Sequence, residues 1–130
     1  MTMVDPERVT DPSGGGVVPG EPACLVASRC TGCGRTEFPA RVLCPACGST
    51  SPSQLLPSAG RLVGFTAVLH PPPGTDVEVP YTIGVVEFGG RIRVLGQVTD
   101  AVDELEIGLS VETVGQRLSP DSVGYAFRTH

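Results

Sequence analysis

An all-β chain is predicted by three features of this sequence. Its 130 residues include 17 Gly and 13 Pro, which favour frequent chain reversals over helices. From residue 61 onward apolar residues recur at period two, which sends successive side chains to opposite faces of a strand. Ahead of them, "RCTGCGRTEFPARVLCPACG" sets cysteines at 30, 33, 44 and 47, two C-x-x-C pairs each followed by glycine.

Residues 1–22 mix Pro, Gly and acids around "SGGG" and show no helical periodicity, so a disordered leader is expected. Residues 23–50 form the cysteine module, and 51–60, "SPSQLLPSAG", read as a linker. In "RLVGFTAVLH", Val63, Phe65, Ala67 and Leu69 share a face, giving the first long strand. "PPPGTDVEVP" is a loop that regular structure cannot cross, and "YTIGVVEF" is the second strand. Gly89 and Gly90 then make a tight hairpin, because glycine takes positive φ without strain. "RIRVLGQVTD" is the third strand, where a slip of apolar phase between Val94 and Leu95 predicts a bulge. "DELEIG" suggests one helical turn ending at Gly108, and "LSVETVGQRL" and "VGYAFRT" complete five strands. Five short strands with a long first connection fit an OB-type barrel over residues 61–130, which closes its own edges. An open sheet or a sandwich fragment is the alternative.

The cysteines admit several readings. A C-x-x-C-G turn puts two sulfurs on one side of a tight knuckle, and two facing knuckles offer the tetrahedral sulfur set that structural zinc prefers. Disulfides suit an oxidising compartment, which nothing here indicates, and a thioredoxin-like dithiol needs one C-x-x-C in a βαβ setting. Iron in a rubredoxin-like site uses the same ligands and remains the alternative metal. Cys30, Cys33, Cys44 and Cys47 are therefore the candidate ligands of a closed, structural zinc ribbon. Cys24 opens "CLVASRC" and reads as a small packing residue.

Charge and chemistry narrow the function. Net charge is −5, and all nine basic residues are Arg, so a Lys Schiff base is excluded. The cysteine module holds Arg29, Arg35 and Arg41 against Glu37, a positive island on an acidic chain. An acidic barrel argues against nucleic acid, whose affinity comes mostly from cationic side chains. There is no G-x-S-x-G elbow or phosphate loop, and His70 and His130 have no evident acid partner, so no catalytic residue is assigned. The N-terminal stretch lacks signal-peptide features, and no apolar run reaches membrane-spanning length. A cytoplasmic protein with no membrane partner is expected.

With these residues in view, the chain resembles the zinc-ribbon plus OB-fold proteins associated with acyl-CoA enzymes, a family known as domain of unknown function thirty-five. The resemblance runs from about residue 25 to 130. It rests on the ribbon around Phe38, Pro39 and Arg41, on "GRLVGFTAVLHPPP" with Gly60, Phe65 and Thr66, on "PYTIGVVEFGGRIRVLGQV", on "EIGLSVETV" and on "YAFR". Two features depart from the family pattern: a Gly/Pro/acidic leader stands in place of a helical segment, and "PSAG" keeps only Gly60 of a Ser-Gly-x-Gly turn. The resemblance implies a rubredoxin-like zinc ribbon followed by a five-stranded OB-fold barrel. It also implies a non-catalytic accessory subunit of a thiolase-fold enzyme, a side-chain aldolase or a hydratase, helping to bind or channel acyl-CoA. Arg clamps phosphates bidentately and an aromatic ring stacks on adenine, so Arg29, Phe38 and Arg41 are the candidate CoA contacts. A single-stranded nucleic-acid module and a rubredoxin-like electron carrier are the competing classes.

Overall fold

The computed structural model describes residues 17–18, 20, 22–75, 78–119 and 122–129. Nine strands are found among them: β1 (Val17–Val18), β2 (Cys24–Arg29), β3 (Thr36–Glu37), β4 (Ser53–Leu55), β5 (Ala59–Val68), β6 (Tyr81–Phe88), β7 (Ile92–Val98), β8 (Ser110–Ser119) and β9 (Ser122–Thr129). The first four make a small sheet in which β2 pairs antiparallel with β1, β3 and β4. The last five close a barrel in the order β5-β6-β7-β9-β8, and β8 returns to β5. All barrel pairs are antiparallel except β7 with β9, which meet in parallel at Val98 and Phe127. That order, with its parallel closure, is an OB fold.

The expected strands form, and Gly89 and Gly90 turn the β6–β7 hairpin at φ of 61° and 68°. The expected bulge lies elsewhere. β6 and β7 stay in register from Thr82↔Val98 to Phe88↔Ile92, with Val94 and Val98 buried and Leu95 outside, 60% exposed. Gly96 takes the inward position between them, because a Cβ there would lie 2.8 Å from the rings of both Tyr125 and Phe127. One irregularity falls in β5 between Leu62 and Gly64, leaving Val63 as the extra residue, and another in β8 between Arg117 and Ser119. The effect of the first is to reverse the face before the bulge: Leu62, not Val63, is fully buried, and Phe65 packs against the core beyond it. The helical turn is a 3-10 turn at Val102–Glu104, earlier than expected. Gly108, at φ 95°, instead redirects the chain toward β8, and its N–H donates to the Leu62 carbonyl at 2.7 Å.

Ribbon and barrel share one core. Val17, Ala23, Leu25, Ala27 and Leu56 cluster with Leu62, Val86, Phe88, Val111 and Phe127. The Ala23 N–H donates to the Thr113 carbonyl (3.0 Å), and the Thr113 N–H donates to Ser58 (2.8 Å). Thus the stretch expected as a linker contributes β4 and the buried Leu56, and Val17, inside the expected leader, is 1% exposed. Apart from 17, 18, 20 and 22, that leader lies outside the described residues.

Candidate metal centre and adjacent cleft

Two short loops build the centre. After β2, residues 30–34 turn so that the Gly34 N–H donates to the Cys30 carbonyl at 3.1 Å; after the Leu43–Thr50 bridge begins, the Gly48 N–H does the same to Cys44 at 2.9 Å. Both glycines sit at φ 77°, a backbone that L side chains rarely adopt, which explains the glycine after each C-x-x-C. The Cys30 N–H closes the first loop on the Arg35 carbonyl, and the Thr31 N–H ties it to the Leu43–Thr50 bridge by donating to the Thr50 carbonyl.

The four sulfurs all lie within 4.8 Å of one another. Cys30 and Cys47 Sγ are 3.3 Å apart and Cys33 and Cys44 Sγ 3.6 Å, too far for disulfides. A tetrahedral centre with bonds of about 2.3 Å separates its sulfurs by about 3.8 Å, so the cluster fits one structural metal. Backbone donors already point at the sulfur atoms: Gly32 and Cys33 N–H at Cys30 (3.3 and 3.4 Å), Ala46 N–H at Cys44 (3.4 Å).

These donors show in the thiol acidities. The Cys33 N–H, helped by Cys47 and Gly32 and opposed by burial, holds Cys30 down at about 6. The Arg35 N–H draws Cys33 down, but the crowding thiols of Cys44, Cys30 and Cys47, with burial, push it up to about 11. The Ser49 hydroxyl keeps Cys47 below the ordinary thiol range. Crowded thiols cannot all ionise together; a divalent cation removes that conflict by holding all four as thiolates. With four sulfurs around it, such an ion has no open position for water or substrate.

Beside the centre lies a cleft of about 420 Å³, lined by Thr31, Arg41, Val42, Thr50, Ser51 and Ser53 among others. The structure places Arg41 on it, with the Arg41 N–H donating to the buried Ser28 Oγ at 2.9 Å. Arg29 and Phe38 are not among the described residues that line it. Arg29 is exposed at the end of β2. Phe38 packs instead against the core, edge-on to Tyr125 with ring centroids 5.6 Å apart. Arg35 pairs with Glu37, which removes it from the positive island. The sequence reading missed the hydroxyl lining of the cleft. Its signal was "STSPS" after the last C-x-x-C-G, which resembled a linker.

A two-knuckle cysteine ribbon sharing its core with an OB barrel defines the class of zinc-ribbon and OB-fold proteins. Residues 25–53 match the family described as ChsH2, rubredoxin-like zinc ribbon domain, and residues 53–116 match ChsH2, C-terminal OB-fold domain. A DUF35 domain-containing scaffold protein of Methanocaldococcus jannaschii is 31% identical over 81% of each chain, and one of Pyrococcus furiosus is 32% identical over 80% of this chain and 82% of its own. The chain belongs to the ChsH2/DUF35 family. Among solved structures it resembles a chain titled "Ltp2-ChsH2(DUF35) aldolase", with a TM-score of 0.70 and 28% identity, covering 82% of this chain and 84% of that one. A probable enoyl-CoA hydratase alpha subunit of Thermomonospora curvata is 32% identical over 67% of this chain, which spans 28% of that longer protein.

Proposed function

We propose that this protein is a non-catalytic accessory subunit of a thiolase-fold acyl-CoA enzyme, with its four cysteines holding one structural zinc ion. The bond-making residues belong to the partner; this chain stabilises the complex and helps to bind or channel the acyl-CoA. The observation that carries the reading is the extended likeness to the Ltp2-ChsH2(DUF35) aldolase chain, through both ribbon and barrel. The scaffold name of its relatives and the hydratase subunit point the same way.

Cys30, Cys33, Cys44 and Cys47 would hold the zinc, which supplies folding energy and no chemistry of its own. The cleft beside it pairs one guanidinium, Arg41, with the hydroxyls of Thr50 and Ser51, a combination suited to a phosphate-bearing ligand such as coenzyme A, while the Thr31 hydroxyl donates to the Thr50 carbonyl. Arg29 is the second cation on this module, while the packing of Phe38 suits a structural role better than stacking.

Affinity capture from its own host cells, followed by mass spectrometry, tests the reading. Recovery of a thiolase-fold acyl-CoA enzyme at about one copy per chain is the expected result. Turnover of a thioester by the isolated chain, abolished by altering one of its own side chains, would overturn it.

A further inference from the structure

An antiparallel barrel strand normally alternates an apolar side chain inside with a polar one outside. β6 does not. Its inward residues Thr82, Gly84, Val86 and Phe88 are buried, yet its outward residues begin Tyr81, Ile83 and Val85 before reaching Glu87. The strand therefore reads as covered on both faces, and the structure buries one fully and the other only in part.

Register extends this face across three strands. Gly64, Val85 and Leu95 form one row, Thr66, Ile83 and Gln97 a second, and Val68 lies beside Tyr81 in a third. No row carries an ionisable carboxylate or a cation. Leu95, on β7 in the row next to the charged end, is 60% exposed, and Leu69 and Val79 are exposed at the loop end. At the opposite end the charges gather: Arg61, Glu87 and Arg93 are in register across β5, β6 and β7, and Arg91 follows in the hairpin. Arg93 engages Glu87 at 3.1 Å, so the row keeps a positive excess on a chain of net charge −5.

We infer that the outer face of β5-β6-β7, which carries Ile83, Val85 and Leu95, is the surface on which the barrel docks its partner enzyme, meeting an apolar patch rimmed by acidic side chains. An apolar centre with arginine at its margin is the composition of a protein interface. The occupant is a different chain, because the charged end sets Arg61, Arg91 and Arg93 against Glu87 and so keeps a positive excess. A second copy related by a two-fold axis would set arginine against arginine, or against the Leu69–Val79 end, where Glu78 is the acid among the described residues. The inference rests on the accessory-subunit reading and adds where contact is made.

The test uses full-length protein and the purified thiolase-fold subunit recovered by the capture experiment. Affinity is measured by calorimetry for wild type, Leu95→Glu, Arg61→Glu and, on the ribbon, Leu43→Glu. Thermal unfolding and metal content serve as folding controls. Leu95→Glu is expected to weaken the complex about tenfold or more, since it replaces the most exposed apolar side chain of the three strands' outer face by a charge that binding would desolvate. Arg61→Glu should weaken it about threefold, by more at low salt, and Leu43→Glu should leave it unchanged. Wild-type affinity in Leu95→Glu overturns the docking face while leaving the accessory role intact. So does loss of binding in Leu43→Glu alone, which would move the contact to the ribbon. A wild-type homodimer that Leu95→Glu dissociates overturns the heterologous occupant. Failure of the wild type to capture any acyl-CoA enzyme removes the functional reading and this occupant together.

Discussion

Ribbon and barrel reach order by different means. The ribbon's knuckles bury Cys30 and Cys44 but leave Val42 81% and Leu43 56% exposed, so this end of the chain has little apolar surface with which to hold itself. The barrel buries Phe88, Phe127, Leu62 and Val111 completely or nearly so. One module gathers four sulfurs about a point suited to a metal, the other relies on distributed packing. The difference teaches that losses in the two should differ in kind: abrupt and local in the ribbon, graded and global in the barrel.

Removing the metal, by a strong chelator or by Cys44→Ser, should have the largest effect. A four-sulfur site contributes on the order of 10 kcal/mol to folding its module. Metal analysis should fall from about one zinc per chain, and hydrogen exchange should rise across residues 30–50 while β6 and β7 stay protected. Equal deprotection of both modules would break the contrast. Next, Phe127→Ala should cost about 3–5 kcal/mol in denaturant unfolding, through the cavity it leaves in the shared core. Because Leu25 belongs to the same cluster, Leu25→Ala should destabilise the barrel too, by about 2–5 kcal/mol. An unchanged barrel would show that the core divides at the module boundary.

The seam offers a smaller effect. Tyr125 packs against Phe38 and donates its hydroxyl to the Leu95 carbonyl at 2.7 Å, so Tyr125→Phe should cost about 1 kcal/mol. Burial pushes the Tyr125 phenol above its ordinary value. The folded state therefore keeps this proton where the unfolded chain gives it up. Its contribution is whole below about pH 10 and is lost as pH rises through the higher folded value. Tyr125→Phe should flatten the alkaline part of the stability profile, read by thermal unfolding. Smallest for stability is Arg41→Ala: the side chain is exposed, so unfolding should be unchanged, while CoA-ester binding by the complex should weaken about tenfold. Unaltered binding would free the cleft of that role.

What was legible in the sequence was what short spacing controls. Two C-x-x-C-G turns fix their own backbone, and the Gly89–Gly90 hairpin and the alternation of β6 are equally local. What was not legible depends on distant neighbours. The rhythm of β7 runs unbroken past Leu95 only when Gly96 is counted as an inward residue, and that follows from Tyr125 and Phe127 filling its space. The β5 bulge likewise needed the register with β6. At the site, the cysteines announced themselves, whereas Ser28 and the threonines lining the cleft look like any polar residues until the chain folds back. Phe38 looked free to stack because its partner lies in the last strand.

The bond from Ala23 to Thr113 bears on the order of events during synthesis. The cysteine turns leave the ribosome early and can capture their ion while most of the barrel is still untranslated. The ribbon's seat, however, is made by β8 and β9, among the last strands to appear. Translation thus produces the four-cysteine knot first and its anchorage last, so the interval between them is when this chain most needs protection from wrong partners.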